Sequence, residues 1–153
     1  MRFMLVVVLM GVCGVDRLVA QENEVKQEVL TTTEPESRMD QTWWKERHEL
    51  RLREKESIED LDILLLGDSI TQGWETTGAA AWKKTFGDFD TFNLGFSGDR
   101  TEHVIWRLQN GEVDGLTPRV VMLLIGTNNT GHKLDPPEDI AAGIRVILNL
   151  SLI

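Results

Sequence analysis

The sequence predicts an α/β fold built on a parallel sheet that is covered on both sides. Two segments of strand length are apolar, residues 61–66 with the exception of Asp62 and residues 120–125 throughout, and a shorter strand is predicted at residues 90–94. Helical patterns occupy the segments between these strands. Strands that are apolar on both faces and alternate with helices are typical of parallel sheets, because helices then cover both faces.

Seven elements are predicted from residue 42 onward, each from a local pattern. The first helix is amphipathic, and its pair Trp43 and Trp44 is expected to pack against the domain. The last helix is expected to be capped by Asp135, with Pro136 in its first turn. In chain order the elements are a helix at 42–55, a strand at 61–66, a helix at 79–86, a strand at 90–94, a helix at 101–110, a strand at 120–125 and a helix through residue 148.

The first twenty residues predict a signal peptide. Met1 and Arg2 precede an apolar run at residues 3–15, and Ala20 stands before a polar stretch. The run is shorter than the roughly 20 apolar residues that span a bilayer, although an uncleaved anchor is the alternative. We therefore expect export. Because the single cysteine, Cys13, lies in the removed segment, the processed chain would contain no disulfide or thiolate metal site.

Composition separates the rest of the chain into two parts. Residues 21–41 are polar and acidic with little apolar periodicity, which predicts a disordered linker. Residues 42–153 are expected to form a single domain. The formal net charge of −9 argues against a nucleic-acid-binding protein, which would carry a basic stripe.

All three predicted strands end in small polar residues: Gly-Asp-Ser at 67–69, a loop at 93–99, and Gly-Thr-Asn-Asn at 126–129. Ligands of open α/β sheets bind beyond the carboxyl ends of the strands, so these loops should share one edge. Ser69 is the candidate nucleophile, and its own N–H, the Gly98 N–H and the Asn128 amide are candidate oxyanion donors. Taken singly, each residue also fits an ordinary helix cap or turn.

The motifs "GDSITQGW", "NLGFSGDRTEHVIWRLQNGEVDGLTPRVVMLLIGTNN" and "EDIAAGIRVIL" together resemble the SGNH (GDSL-type) hydrolases. Within that family they look most like the platelet-activating-factor acetylhydrolase Ib branch, from about residue 43 to 150. The resemblance implies a flavodoxin-like three-layer α/β/α sandwich with a five-stranded parallel sheet. It also implies Ser69 as nucleophile, Gly98 and Asn128 as oxyanion-hole donors, Asp68 as a support of the turn, and no metal or cofactor.

The same resemblance raises a question about the catalytic base. The family carries an Asp-x-x-His block after two further strands, and no such block follows Asn128. We therefore expect the chain to contain the N-terminal part of the domain, truncated to about three strands. Whether this part hydrolyses a substrate stays open at this point. His132, in the loop after the third strand, is the candidate substitute base. His48 is expected to have a surface or packing role, and the family's histidine at the position of His103 is not its base.

The leading functional expectation is a serine esterase that hydrolyses small acyl esters, such as acetyl esters of lipids, through an acyl-enzyme on Ser69. Acetylated carbohydrate is an alternative substrate, and a non-catalytic binding module is the alternative class. Trp74 and Phe96 flank the site and are candidate walls of an acyl pocket. A strand order of 2-1-3 would leave the third strand with an unpaired apolar edge, which favours association, including a homodimer.

Overall fold

A computed structural model of the chain describes residues 30–151 and contains a three-stranded parallel sheet. Its strands are β1 (Ile63–Gly67), β2 (Thr91–Gly95) and β3 (Val120–Leu124), in the order β2-β1-β3. In the register Ile63 is paired with both Thr91 and Val120. The predicted α/β class, the parallel pairing and the strand order are confirmed.

Five α-helices connect and flank the strands. They are α1 (Thr42–Lys55), α2 (Ser69–Gln72), α3 (Ala79–Phe86), α4 (Thr101–Gln109) and α5 (Pro137–Ser151). The last helix begins one residue later than predicted, and the Asp135 carboxylate instead accepts a hydrogen bond from Asn129 Nδ2 at 2.9 Å. None of the helices in residues 30–151 is both long and apolar enough to cross a bilayer.

The main core lies on the face of the sheet that α4 and α5 cover. Alternate strand residues point to the same face, and the register pairs Leu64 with Phe92 and Leu66 with Leu94. Helix α4 adds side chains one turn apart, and α5 adds Ile147. The fully or nearly fully buried residues of this cluster are Leu61, Leu64, Leu66, Phe92, Leu94, Val104, Ile105, Leu108 and Ile147.

Strand β3 departs from the expectation that both faces of the sheet are covered. Val121 and Leu123 pack against the core, whereas Val120, Met122 and Leu124 on the opposite face are 51%, 42% and 48% exposed. Within the described residues β3 is an edge strand, and its exposed row lies beside Phe86 and Phe89 around a cavity of ≈ 310 Å³. Apolarity along the whole strand therefore predicted the strand but not its burial.

We expect the substitution Met122→Lys to reduce self-association of the chain. An unpaired apolar edge strand is a template for pairing with another chain, and a lysine on such an edge opposes that pairing. Sedimentation velocity over a concentration series measures the effect. Gln109→Lys adds the same charge at another exposed position and should leave association unchanged. Equal effects of both substitutions would mean that overall charge, and not the β3 edge, governs association.

The prediction of a disordered linker is wrong for residues 30–41. The buried Thr32 side chain donates its hydroxyl to the carbonyl of Asp139 at 2.8 Å, and Thr31–Thr33 forms a short 3-10 turn. Arg38 donates to the buried Asp99 carboxylate at 3.1 Å. These long-range bonds order a segment that is polar by composition. The predicted signal peptide at residues 1–20 and residues 21–29 lie outside the described residues.

Candidate active site

The three loops that follow β1, β2 and β3 meet at one edge of the sheet, as predicted. Asn128 Nδ2 donates to Asp68 Oδ2 at 3.3 Å and to the carbonyl of Asp99 at 2.8 Å. Each of these three residues belongs to a different strand-end loop. One side-chain amide therefore ties together the loop of Ser69, the loop of Gly98 and its own.

Ser69 is the first residue of α2, and its side chain is exposed. Asp68 caps this helix, because its Oδ1 accepts the Ile70 N–H at 2.9 Å. The preceding glycine is required by packing, since a Cβ at Gly67 would lie 2.4 Å from the carbonyl oxygen of Leu124. The first N–H groups of a helix have no acceptor within the helix, so the Ser69 N–H is suited to an external anion.

The Asp68 carboxyl is buried at the centre of this edge. Burial raises its pKa above the ordinary 3.8, and the hydrogen bond from the Ile70 N–H opposes that rise by stabilising the charged form. Its other oxygen accepts from Asn128. Asp68 therefore caps the turn through one oxygen and contacts the amide of Asn128 through the other.

Gly98 occupies the left-handed region, with φ of +74°, which favours glycine. A Cβ at this position would lie 3.4 Å from Arg38 Nη1. The loop is fixed on its other side by Gln72, whose Oε1 accepts the Ser97 N–H at 2.8 Å. The positive φ explains why the loop has glycine here.

The sequence of residues 65–151, more than half of the chain, matches the GDSL-like Lipase/Acylhydrolase family. The chain belongs to that family. The predicted family is confirmed.

Known acetylhydrolases are among the relatives of this GDSL-like chain. The human platelet-activating factor acetylhydrolase IB subunit alpha1 is 36% identical over 89 residues, and the rat subunit alpha2 is 38% identical over 89 residues. A solved Streptococcus pneumonia structure, provisionally named a platelet activating factor, superposes with a TM-score of 0.51 at 26% identity and covers 68% of this chain.

The similarity extends over only part of each relative. The matched sequence region is 58% of this chain and 36% to 37% of the length of the two acetylhydrolase subunits. The structural superposition covers 46% of the Streptococcus pneumonia chain. The family and the fold follow from these matches.

A buried ionic network that sequence reasoning missed includes Asp99 of the Gly98 loop. Arg107 is fully buried and donates through Nε to Asp99 Oδ2 at 2.9 Å and through Nη1 to Glu112. Glu112 Oε1 lies 2.7 Å from His48 Nδ1. Burial alone would lower the pKa of Arg107, but the charges of Glu112 and Asp99 outweigh it and raise the pKa above its ordinary value.

One signal in the sequence could have indicated this network. Arg107 lies next to Leu108 and three residues after Val104, on the apolar side of the predicted helix at 101–110. A charge on a buried helix face needs a partner, because an unpaired charge in the interior is costly. The identity of the partners, Asp99 and Glu112, depends on how the loops fold.

A second polar network joins the β3 loop to α4. Asn129 is buried; its Oδ1 accepts the Thr101 N–H at 3.0 Å, and its Nδ2 donates to Glu102 Oε2 at 3.1 Å. Glu102 Oε1 accepts from Lys133 at 2.8 Å and from Arg100 at 2.6 Å. Burial alone would raise the pKa of Glu102, but these two hydrogen bonds outweigh it and lower the pKa to about 2.

We expect Glu102 to make folding stability depend on acidity between pH 4.5 and about 2. Its pKa is lower in the folded chain than its ordinary 4.5, so its contribution is complete above pH 4.5 and disappears as the pH falls through about 2. A shift of this size corresponds to about 3 kcal/mol. Urea unfolding at pH 7 and pH 2.5 should show Glu102→Gln much less stable than the parent at pH 7 and closer to it at pH 2.5. A stability difference independent of pH would contradict this role.

No histidine in residues 30–151 is hydrogen bonded to Ser69. His48 is buried, stacked on Trp44 and paired with Glu112, which confirms a packing role. His103 is buried, and burial lowers its pKa below 6.5; its Nδ1 accepts the Arg100 N–H at 3.0 Å. His132 is exposed and lines a cavity of ≈ 340 Å³ together with Gly98.

The two candidate walls of an acyl pocket have different positions. Phe96 is fully buried, with the Arg107 guanidinium 4.0 Å from its ring centroid, and is a core residue. Trp74 lines a groove of ≈ 230 Å³ with Ser69 and Ile70, and its ring lies on Gly78, where a Cβ would be 2.5 Å from it. Of the two, only Trp74 borders the groove that Ser69 lines.

Three side chains near the Gly98 loop have the spacing of a metal site. Ligand atoms of Glu36, Glu102 and His103 all lie within 4.8 Å of one another. Two cations already occupy the surroundings, because Arg100 and Lys133 each bond to Glu102. The cluster is therefore already neutralised by side chains and does not favour a metal cation.

Proposed function

We propose that this GDSL-like chain is a serine esterase that hydrolyses small acyl esters, first among them acetyl esters of lipids. Ser69 Oγ attacks the acyl carbonyl while a base takes its proton; the carbon–oxygen bond to the alcohol then breaks as that proton passes to the leaving alcohol, and water hydrolyses the acyl ester on Ser69 to a carboxylic acid and the free hydroxyl. The N–H groups of Ser69 and Gly98 and the Asn128 amide stabilise the oxyanion.

The observation that carries the proposal is the amide of Asn128, hydrogen bonded to both Asp68 and Asp99 beside an exposed Ser69. It brings a hydroxyl and three potential donors from three loops to one edge of the sheet. The Asn128 amide must release its longer bond, 3.3 Å to Asp68, to donate to an oxyanion. Only the bond to Asp68 has to be exchanged for a bond to the oxyanion, because the amide keeps its bond to Asp99.

The choice of acyl group and alcohol is supported by the relatives and the groove. Both matched mammalian relatives are named as platelet-activating factor acetylhydrolase subunits. The groove beside Ser69 has a volume of ≈ 230 Å³, which suits a short acyl chain. The lipid ester is therefore the first candidate.

An acetylated carbohydrate is the second candidate substrate. A cavity of ≈ 340 Å³ borders Gly98 and is lined mainly by polar side chains, including Arg100, His132 and Asp40. A hydroxyl-rich alcohol would find hydrogen-bond partners there. Comparing the rates of deacetylation of an acetylated xylose oligomer and of an acetyl phospholipid distinguishes the two candidates.

The acyl-enzyme is the direct test of the mechanism. The full chain is incubated with p-nitrophenyl acetate, quenched in acid and digested, and the peptide that contains Ser69 is examined by mass spectrometry. An acetyl group on Ser69, absent from the Ser69→Ala variant, is expected. Ester hydrolysis with the acetyl group on another residue would overturn the assignment, and a folded chain that releases no nitrophenol would favour the binding-module alternative.

The proposal also includes export of the chain and a homodimer. N-terminal sequencing of protein collected from the medium or periplasm should begin near Gln21. Sedimentation equilibrium should give twice the monomer mass. A product that retains residues 1–20 inside the cell would contradict export. A monomer at all concentrations would contradict the homodimer.

A further inference from the structure

Asp99 contacts both the loop of the Gly98 N–H and the Asn128 amide, the two proposed oxyanion donors that lie outside the Ser69 loop. Asp99 follows Gly98 in the chain, and its carbonyl oxygen accepts the Asn128 amide at 2.8 Å. Its own N–H donates to the carbonyl of Phe96 at 3.1 Å, which closes the turn that presents Gly98. The backbone of Asp99 is therefore in contact with the loop of one donor and with the side chain of the other.

The side chain of Asp99 is fully buried and is held by donors from three different segments. Trp44 Nε1 of α1 donates to Oδ1 at 2.8 Å, and Arg107 Nε of α4 donates to Oδ2 at 2.9 Å. Arg38, from the segment before α1, donates to Oδ1 at 3.1 Å. Hydrogen bonds to an ionised acceptor are short and strong, so three of them fix the carboxylate in one position.

Arg38 holds the Gly98 loop from both sides. Besides its bond to Asp99, its Nη1 donates to the carbonyl of Ser97 at 3.0 Å. A single guanidinium thus contacts the residue before Gly98 and the residue after it. Gly98 has a positive φ and would be free to move without such contacts, since glycine accesses a wide range of backbone angles.

We propose that Asp99, held by Arg38 and Arg107, is a positioning residue that fixes the Gly98 N–H and the Asn128 amide for oxyanion binding. The inference rests on the proposed function of the Ser69 site. Donors fixed before the reaction stabilise an oxyanion without reorganising as the charge develops. A displacement of about 1 Å in such groups costs on the order of 10²-fold in rate.

The test compares Asp99→Asn with the matched variant Glu112→Gln in the full chain. Both remove one negative charge from a buried partner of Arg107, but only Asp99 contacts the donor loops. In ¹⁵N relaxation experiments we expect the Gly98 amide order parameter to fall from about 0.85 to below about 0.6 in Asp99→Asn. Faster hydrogen exchange of the Asn128 side-chain amide should accompany it. Glu112→Gln should change neither.

The kinetic arm uses p-nitrophenyl acetate. Asp99→Asn is expected to lower kcat by at least about 10-fold with KM within about 2-fold, because the lost interaction acts in the transition state. Glu112→Gln should retain kcat. If the parent chain does not hydrolyse the ester, the proposed function fails, whereas the relaxation and exchange results still decide whether Asp99 positions the donors.

Arg38→Gln provides a second variant if Asp99→Asn does not fold. The Arg38 side chain is 16% exposed, so its loss leaves a less deeply buried gap than the loss of Arg107. We expect increased mobility at Gly98 and a smaller fall in kcat, with the chain still folded. Unchanged Gly98 mobility in Arg38→Gln, or equal changes in Asp99→Asn and Glu112→Gln, would overturn the inference and leave Asp99 a structural ion-pair partner only.

Discussion

Ser69→Ala is expected to abolish ester hydrolysis by the full chain while leaving its fold intact. The side chain is exposed at the start of α2, so removing its hydroxyl removes no buried contact. In serine hydrolases with a base beside the nucleophile, loss of the nucleophile lowers turnover by on the order of 10⁶-fold, and a smaller fall is expected here because no histidine in residues 30–151 is hydrogen bonded to Ser69. Release of nitrophenol from p-nitrophenyl acetate measures the effect, and circular dichroism confirms that the variant is folded.

His132→Ala is the matched variant for that experiment. His132 is exposed on the same edge of the sheet but is not hydrogen bonded to Ser69, so we expect its loss to change turnover by less than about 3-fold. Equal losses in the two variants would instead identify His132 as the base, because members of one catalytic set act as a unit. Equal activity of the parent and Ser69→Ala would contradict Ser69 as nucleophile.

Arg107→Met is expected to cause the largest loss of stability among single substitutions of the buried network. It leaves the carboxylates of Asp99 and Glu112, both fully buried, without the guanidinium between them. Removing one partner of a buried ion pair costs about 3–5 kcal/mol, because the remaining charge stays in the interior uncompensated. The midpoint of urea unfolding should fall accordingly.

Arg119→Met is the control for this effect. Arg119 also forms an ion pair, 3.0 Å from Asp62, but its side chain is 81% exposed. Water and salt weaken such a pair, and its loss is expected to cost less than about 1 kcal/mol. A loss in Arg107→Met no larger than that in Arg119→Met would mean that the buried carboxylates find other partners.

Local patterns in the sequence determined the class of fold and the position of the site. The apolar runs at residues 61–66, interrupted by Asp62, and at 120–125 predict strands, and the helical segments between them are typical of parallel crossovers. The parallel order then places the strand ends on one edge, so Ser69, Gly98 and Asn128 could be assigned to the same region. Gly98 is needed for a positive φ, which is also a local requirement, whereas Gly67 is needed for its close approach to Leu124 on β3.

Only the tertiary structure decided which polar groups are buried together. Trp44 and Asp99 are 55 residues apart, and His48 and Glu112 are 64 apart, so no local pattern pairs them. The same reason explains the ordered segment at residues 30–41, whose bonds are made to distant α4, α5 and the Gly98 loop. Apolar content likewise predicted β3 but not the exposed row of Val120, Met122 and Leu124, because burial depends on which helix lies above a strand and not on the strand itself.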